Sequence, residues 1–193
     1  FGTKLERASD DQVVELAEKL SIPVACSLHA KAAIPESHPL SVGFTGTYSR
    51  ECANRAVAEA DLVFYVGSQT ASMITAFWAL PGRAGAQIVH LDIDPAQLGR
   101  HFPTAIPLNG DAKATLRRMI EKATPRSNPR WTGRVAELVA QWRADVAAMV
   151  TSDAAPIRPE RIISEVAAIL RDDGAVVIDT LQASTWAGSH FGV

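Results

Sequence analysis

Apolar positions along this chain switch repeatedly between a helical and an extended spacing. Val13, Leu16, Ala17 and Leu20 fall on one helical stripe, behind a capping box made by Ser9 and Gln12. Residues 22–26 follow as a short apolar strand, with Pro23 at its start where no ladder donor is lost. A second stripe (Ala53, Ala56, Val57, Ala60) starts after Ser49, a natural N-cap, and its small residues predict close packing on a sheet. Residues 61–67 then form an unbroken apolar run, the pattern of a strand covered on both faces. A further run (Ile88, Val89, Leu91, Ile93) ends in Asp92 and Asp94-Pro95. This predicts a strand passing into a helix capped by Asp94 and stopped at Gly99. A short strand at 105–108 and a helix at 112–122, capped by Asp111 with Leu116, Met119 and Ile120 inward, complete the series.

Strands and helices alternating at these lengths predict an α/β fold: a Rossmann-like, doubly wound parallel sheet with helices on both faces. Its strands lie at 22–26, 61–67, 87–92 and 105–108, and 27–47 reads as a long irregular connection over the ligand-bearing edge. The pattern also calls for a strand before the Ser9 helix, which residues 1–8 do not supply, so the chain reads as part of something larger. We expect a central α/β domain over 1–122 and a helical linker over 123–157. The linker carries a long amphipathic stripe (Trp131, Val135, Leu138, Val139, Trp142, Val146, Met149). A partial second α/β unit over 158–193 would hold a helix from Pro159, a strand at 175–179 and a polar loop entering a helix near Trp186.

Composition narrows the function classes. A formal net charge of -2 gives no electrostatic case for nucleic acid or an anionic membrane. No apolar run approaches the roughly 20 residues that cross a bilayer. Cys26 and Cys52 sit inside apolar segments, which predicts buried reduced thiols and suits a cytoplasmic protein. Five scattered histidines and two cysteines lack metal-ligand spacing, the histidines do not suggest a triad, and His38-Pro39 reads as a turn element rather than a catalyst. The arginines and lysines between Arg117 and Arg134 are interrupted by Glu121 and by prolines, which favours a solvated linker over a nucleic-acid patch.

Candidate chemistry lies at strand ends, because ligands of open α/β sheets sit outside the carboxyl edge. Asp92 and Asp94 can accept hydrogen bonds from a ribose; the competing readings are a solvated strand end and a plain helix cap. Gly67 permits close backbone approach and Ser68 and Thr70 add hydroxyls, although no G-x-G-x-x-G is present. Lys31 reads either as a phosphate or carboxylate partner or as a surface lysine.

Five segments, in this order, resemble one family. They are Lys31-Ala-Ala-Ile-Pro-Glu-Ser-His-Pro-Leu40, Ala53-Asn-Arg-Ala-Val-Ala-Glu-Ala-Asp-Leu62, Val66-Gly67, His90-Leu-Asp-Ile-Asp-Pro-Ala-Gln-Leu-Gly99 and Gly110-Asp111. Together they resemble the central domain of thiamine-diphosphate-dependent enzymes of the acetolactate synthase and 2-oxoacid decarboxylase type. The resemblance implies a three-domain parent using thiamine diphosphate and Mg2+ on a small 2-oxoacid, as a lyase or transferase. It also implies a homodimer or homotetramer, with the catalytic glutamate and the metal-binding Gly-Asp-Gly motif in domains other than this one. The fragment itself would then be non-catalytic. By motif position, Gly67, Ser68, Gln69, Asp92, Ile93, Asp94, Gly110 and Asp111 would line a cleft that holds FAD or an adenine nucleotide in some members. Gln69 in place of an arginine, and Ala30-Lys31-Ala32 in place of Gly-Lys-Gly, point to an ADP-sized or vestigial cleft rather than a flavin site. Asp179-Thr-Leu-Gln182 is similar to the family's Asp-x-Gly-Gln, so Thr180 and Gln182 are the candidates for contact with the cofactor diphosphate. Two other readings stand beside this one: a stand-alone module binding NAD or ADP, and an interaction scaffold using the Trp131–Met149 helix. An uncovered sheet edge would favour self-association.

Overall fold

A computed structural model describes residues 10–82, 84–170, 176–179 and 182–191. The elements run α1 (Asp10–Leu20), β1 (Val24–Cys26), a 3-10 segment (Leu28–Ala33), β2 (Ser41–Phe44), α2 (Glu51–Glu59), β3 (Leu62–Val66) and β4 (Gln87–Asp92). A single 3-10 turn (Pro95–Gln97) leads to β5 (Ile106–Asn109), and then follow α3 (Ala112–Lys122), α4 (Pro129–Val150), α5 (Pro159–Ile169) and α6 (Gln182–His190). Every strand pairing is parallel. The fold is therefore an open α/β fold of Rossmann type. The strands form two ladders among the described residues, β1-β2 and β3-β4-β5, where one continuous sheet was expected.

Two cores lie on opposite faces of the strands. On one, α1 and α3 bury Val13, Leu16, Leu116 and Ile120 against Val24, Cys26, Val66 and Leu91. On the other, α2 and α4 bury Cys52, Ala53, Ala56, Val135 and Leu138 against Val42, with Ala25, Trp131 and Trp142 packed alongside. Alternation along β1 serves both: Val24 and Cys26 face the first core and Ala25 the second. Alanines at 53 and 56 let the α2 backbone approach the strands, as their spacing predicts. Arg134 then ties α4 to α2 with two bonds of 2.8 Å to the Glu59 carboxylate. Both cysteines are buried, as expected, and neither joins a disulfide among the described residues.

Several boundaries differ from the sequence reading, each for a local reason. Residues 27–47 contain β2, which was expected to be irregular; Gly43 (φ +89°) disguises it, and partnership with β1 supplies the order its own pattern lacks. A side chain at 43 would collide with Arg50, since a Cβ there falls 2.6 Å from Arg50 Cδ. Arg50, not Ser49, is the N-cap residue of α2, without a side-chain cap bond. The loop before α2 is held instead by Asn54, whose Oδ1 accepts from Thr45 Oγ1 and from the Gly46 N–H, each at 2.9 Å. The helix expected after Asp94 is one 3-10 turn, and Gly99 (φ +73°) ends the segment as predicted. The linker is anchored rather than free: Arg126 N–H donates to Lys19 O, and Ser21 Oγ donates to Arg126 O. Of the strand expected at 175–179, Ala175 lies outside the described residues, and Val176–Asp179 join no ladder, with Val177 97% exposed. Ser9 also lies outside the described residues.

Leu91 has no exposed surface and sits where β4 meets the α1/α3 core. Leu91→Ala should lower unfolding stability by about 3 kcal/mol through lost burial and a cavity, whereas Val177→Ala should change it by less than about 0.5 kcal/mol. Urea titration followed by circular dichroism checks both.

Candidate functional site

The carboxyl ends of β3, β4 and β5 lie side by side in register, with Val66 opposite Leu91 and Asp92 opposite Asn109. Gly67 turns away from β3 at φ +58°, and its N–H still donates to Leu91 O (2.8 Å). Ser68 is buried just beyond; its Oγ accepts from the Thr70 N–H at 3.2 Å, and its carbonyl oxygen lies 2.8 Å from His90 Nε2. A histidine at 90, inside an apolar strand, is thus fixed on the β3 loop, a role its sequence position did not disclose. Thr70 is buried too and takes φ +47°.

Asp92 is the unusual group here. It is 2% exposed; Oδ1 accepts the Asp94 N–H at 2.9 Å, while Oδ2 has no hydrogen-bond partner among the described residues. A buried carboxylate oxygen left without a donor costs free energy, so it is a natural acceptor for a ligand hydroxyl. The Asp92 carbonyl is held by Gly110 N–H and by Asn109 Nδ2, both at 3.1 Å, which locks the β4 and β5 ends together. A Cβ at Gly110 would come 3.1 Å from Thr115 Oγ1. Asn109 also bonds Ile93 O and was not singled out in the sequence, where it looked like an ordinary strand end.

The other candidates divide plainly. Asp94 caps the 3-10 turn, accepting from Ala96 N–H (3.0 Å) and from Gln97 Nε2 (3.1 Å), and Asp111 caps α3, accepting from Ala114 N–H (2.7 Å). Ile93 is 62% exposed at the rim, and Gln69 is exposed. The edge therefore brings Gly67, Ser68, Asp92, Asp94 and Gly110 together, with Gln69, Ile93 and Asp111 around them. Gln182 begins α6, which packs elsewhere: a Cβ on its Gly188 would lie 3.0 Å from Leu28 and 3.3 Å from Phe44. Thr180 lies outside the described residues.

A largely buried charge cluster joins α6 to the β1-β2 end, and of its members the sequence reading had singled out Lys31 alone. Lys31, read as a phosphate partner or a surface lysine, donates to the Phe191 carbonyl and pairs with Glu36 at 3.5 Å. Burial holds its pKa below the usual lysine range. Arg50 donates to Glu36 (2.7 Å) and to Ser189 O (2.9 Å) and lies 4.7 Å over the Trp142 ring. Two cations thus meet carbonyls at the C-terminal end of α6, where the helix dipole favours them. Trp142 also stacks on His190.

Residues 2–119 match the thiamine pyrophosphate enzyme central domain. The chain belongs to the thiamine pyrophosphate enzyme family. It is 30% identical over 202 residues to a probable acetolactate synthase large subunit of Methanocaldococcus jannaschii, covering 98% of this chain and 33% of that protein. A probable acetolactate synthase large subunit of Methanococcus aeolicus is 28% identical, over 98% of this chain and 34% of its own length. The pyruvate oxidase of Lactiplantibacillus plantarum is 28% identical, over 95% and 30%. The chain thus spans about a third of the length of the curated relatives it matches.

Among the described residues, no group of three or more His, Cys, Asp or Glu side chains is placed to hold a metal ion. No helix there is long and apolar enough to cross a membrane.

The His190 ring gives a pH dependence. Burial lowers its pKa from the ordinary 6.5, with Arg50 and Lys31 adding to the effect and Glu160 opposing it. A lowered folded-state pKa means that the unfolded chain takes up the proton first, so stability is lost as pH falls below 6.5 toward the folded value. An NMR titration of the His190 ring should give a midpoint below 6.5, and α6 amides should exchange faster at pH 5 than at pH 7 after correction for intrinsic rates.

Proposed function

We propose that this chain is the central part of an acetolactate synthase-like enzyme, a thiamine-diphosphate-dependent carboligase or decarboxylase acting on a small 2-oxoacid. The observation that carries this is the family match over residues 2–119, extended by similarity to acetolactate synthase large subunits across 98% of the chain. Within that enzyme the chain supplies no catalytic residue; thiamine diphosphate and Mg2+ are held mainly by other parts of the protein. Thr180 and Gln182 are its contribution to the diphosphate loop. The working form is a cytoplasmic homodimer or homotetramer.

The crevice at the β3–β5 ends takes an adenine nucleotide of ADP size. Asp92 Oδ2 would accept a ribose hydroxyl, Gly67 and Ser68 would face the phosphates, and Ile93 would cover the base. Three features support ADP over FAD. Gln69 leaves the phosphates without a guanidinium. Lys31 is spent on Glu36 and Phe191. The Asp94 carboxylate is engaged by its own turn.

Two measurements test this reading. With the complete protein, pyruvate consumption should require added thiamine diphosphate and Mg2+, and the 193-residue chain alone should show no turnover; cofactor-independent consumption would overturn the assignment. Calorimetric titration of the chain should rank ADP above FAD and NAD. Asp92→Ala should weaken ADP binding by roughly tenfold or more, the loss expected for a hydrogen bond to a charged acceptor. Equal absence of binding for all three would make the crevice vestigial.

A further inference from the structure

We infer that Asn109–Gly110 is a site of spontaneous covalent modification, in which Asn109 converts to aspartate or isoaspartate. The conversion is gated by opening of the β4–β5 end, and it unlocks the edge at which Asp92 sits. It stands whatever the crevice binds.

An asparagine loses its side-chain amide when the backbone nitrogen of the next residue attacks its Cγ. Glycine hinders this least, because no Cβ shields the nitrogen. The chain's asparagines are Asn54, Asn109 and Asn128. Pro129 follows Asn128 and has no N–H to give up. Asn54 lies inside α2 with Arg55 after it; its Nδ2 donates to Gly46 O, and its Oδ1 accepts from Thr45 and Gly46. Asn109 precedes a glycine and is exposed at the end of β5.

The folded arrangement holds both reacting groups. Gly110 N–H donates to Asp92 O, and Asn109 Nδ2 donates to Asp92 O and to Ile93 O, each at 3.1 Å. Attack therefore waits on an opening that frees the nitrogen and the leaving amide together. Such an opening is local. β5 is four residues long and is the outer strand of its ladder among the described residues. Strand ends of that kind open at a fraction of the cost of global unfolding.

The chemistry balances with water as the only co-reactant. A solvent base takes the Gly110 proton, the nitrogen bonds to Asn109 Cγ, and the Cγ–Nδ2 bond breaks. The departing amide nitrogen takes a proton back from solvent and leaves as ammonia. Water then opens the cyclic imide. Cleavage at Cγ leaves aspartate; cleavage at the main-chain carbonyl leaves isoaspartate, with the chain running through Cγ. Nothing is oxidised or reduced. Either product replaces a donor with a carboxylate that only accepts, beside the Asp92 and Ile93 carbonyls that Nδ2 had bonded. Isoaspartate also adds a backbone carbon ahead of Gly110. That shifts its N–H away from Asp92 O, and shifts Asp111 away from the Ala114 N–H it caps at 2.7 Å. The β4–β5 lock and the start of α3 loosen together.

Incubating the 193-residue chain at mildly alkaline pH, folded and unfolded in guanidinium chloride, tests this through the tryptic peptide 101–113. Aspartate and isoaspartate should appear at position 109 in both, more slowly in the folded chain by at least about tenfold. The folded product carries one more negative charge and separates by anion exchange. Its Gly110 and Ala114 amides should exchange at least about tenfold faster than in the starting chain. Asn109→Gln, which closes the larger ring poorly, should yield no such product. The idea is overturned if Asn109 stays intact in the folded chain while the unfolded chain converts, if the two rates are equal, or if Asn54 converts first. Unchanged amide exchange in the collected product would overturn it as well.

Discussion

Cover on both faces of the parallel strands is the constraint from which the rest of the architecture follows. A strand whose side chains are apolar on both sides cannot leave either side in water. Here the burden is divided: α1 and α3 shield Val24, Cys26, Val66 and Leu91, and α2 and α4 shield Val42 and Ala25. The division sets the chain's winding, sets the strand ends side by side, and so creates the edge at which Gly67, Asp92 and Gly110 converge. The reach of α4 onto the α2 side explains its long stripe: Val135 and Leu138 are core residues of this unit, held by Arg134 on Glu59.

Elements with strong internal periodicity were legible in the sequence. α1, α3, α4 and α5 and the strands β3 and β4 appear within a few residues of their expected bounds, because amphipathic stripes and long apolar runs have one good solution. β2 was not legible: four residues containing Gly43, flanked by turn residues, become a strand only because β1 offers an edge. The helix expected after Asp94 stopped at one turn, although its cap chemistry was read correctly in Asp94 and Pro95. Caps report where a helix can begin and say little about how far packing will carry it. The two-ladder arrangement was not legible either, because no local pattern along β1 or β3 encodes which strand edges pair.

The site was partly readable for a similar reason. Asp92 and Ser68 stood out because polar residues directly after apolar runs occupy the ligand edge of this fold. Asp111 and Asp94 carried the same signal and turned out to serve helix caps, a use that position alone cannot separate from binding. His90, Asn109 and the Lys31–Glu36–Arg50 cluster escaped notice because their partners are distant in sequence: Ser68 for His90, and Ser189 and Phe191 for the two cations.

Arg50 belongs to several structures at once. Its guanidinium joins the start of α2, the Glu36 carboxylate, the Trp142 ring of α4 and the last turn of α6, and it is 8% exposed. No one of these partners can withdraw without stranding a charge in a poorly hydrated place. The C-terminal helix is consequently joined to the β1-β2 end by charge as well as by the packing of Gly188 on Leu28 and Phe44, and loosening of its last turn is felt at the start of α2 and on α4 through the Arg50 guanidinium.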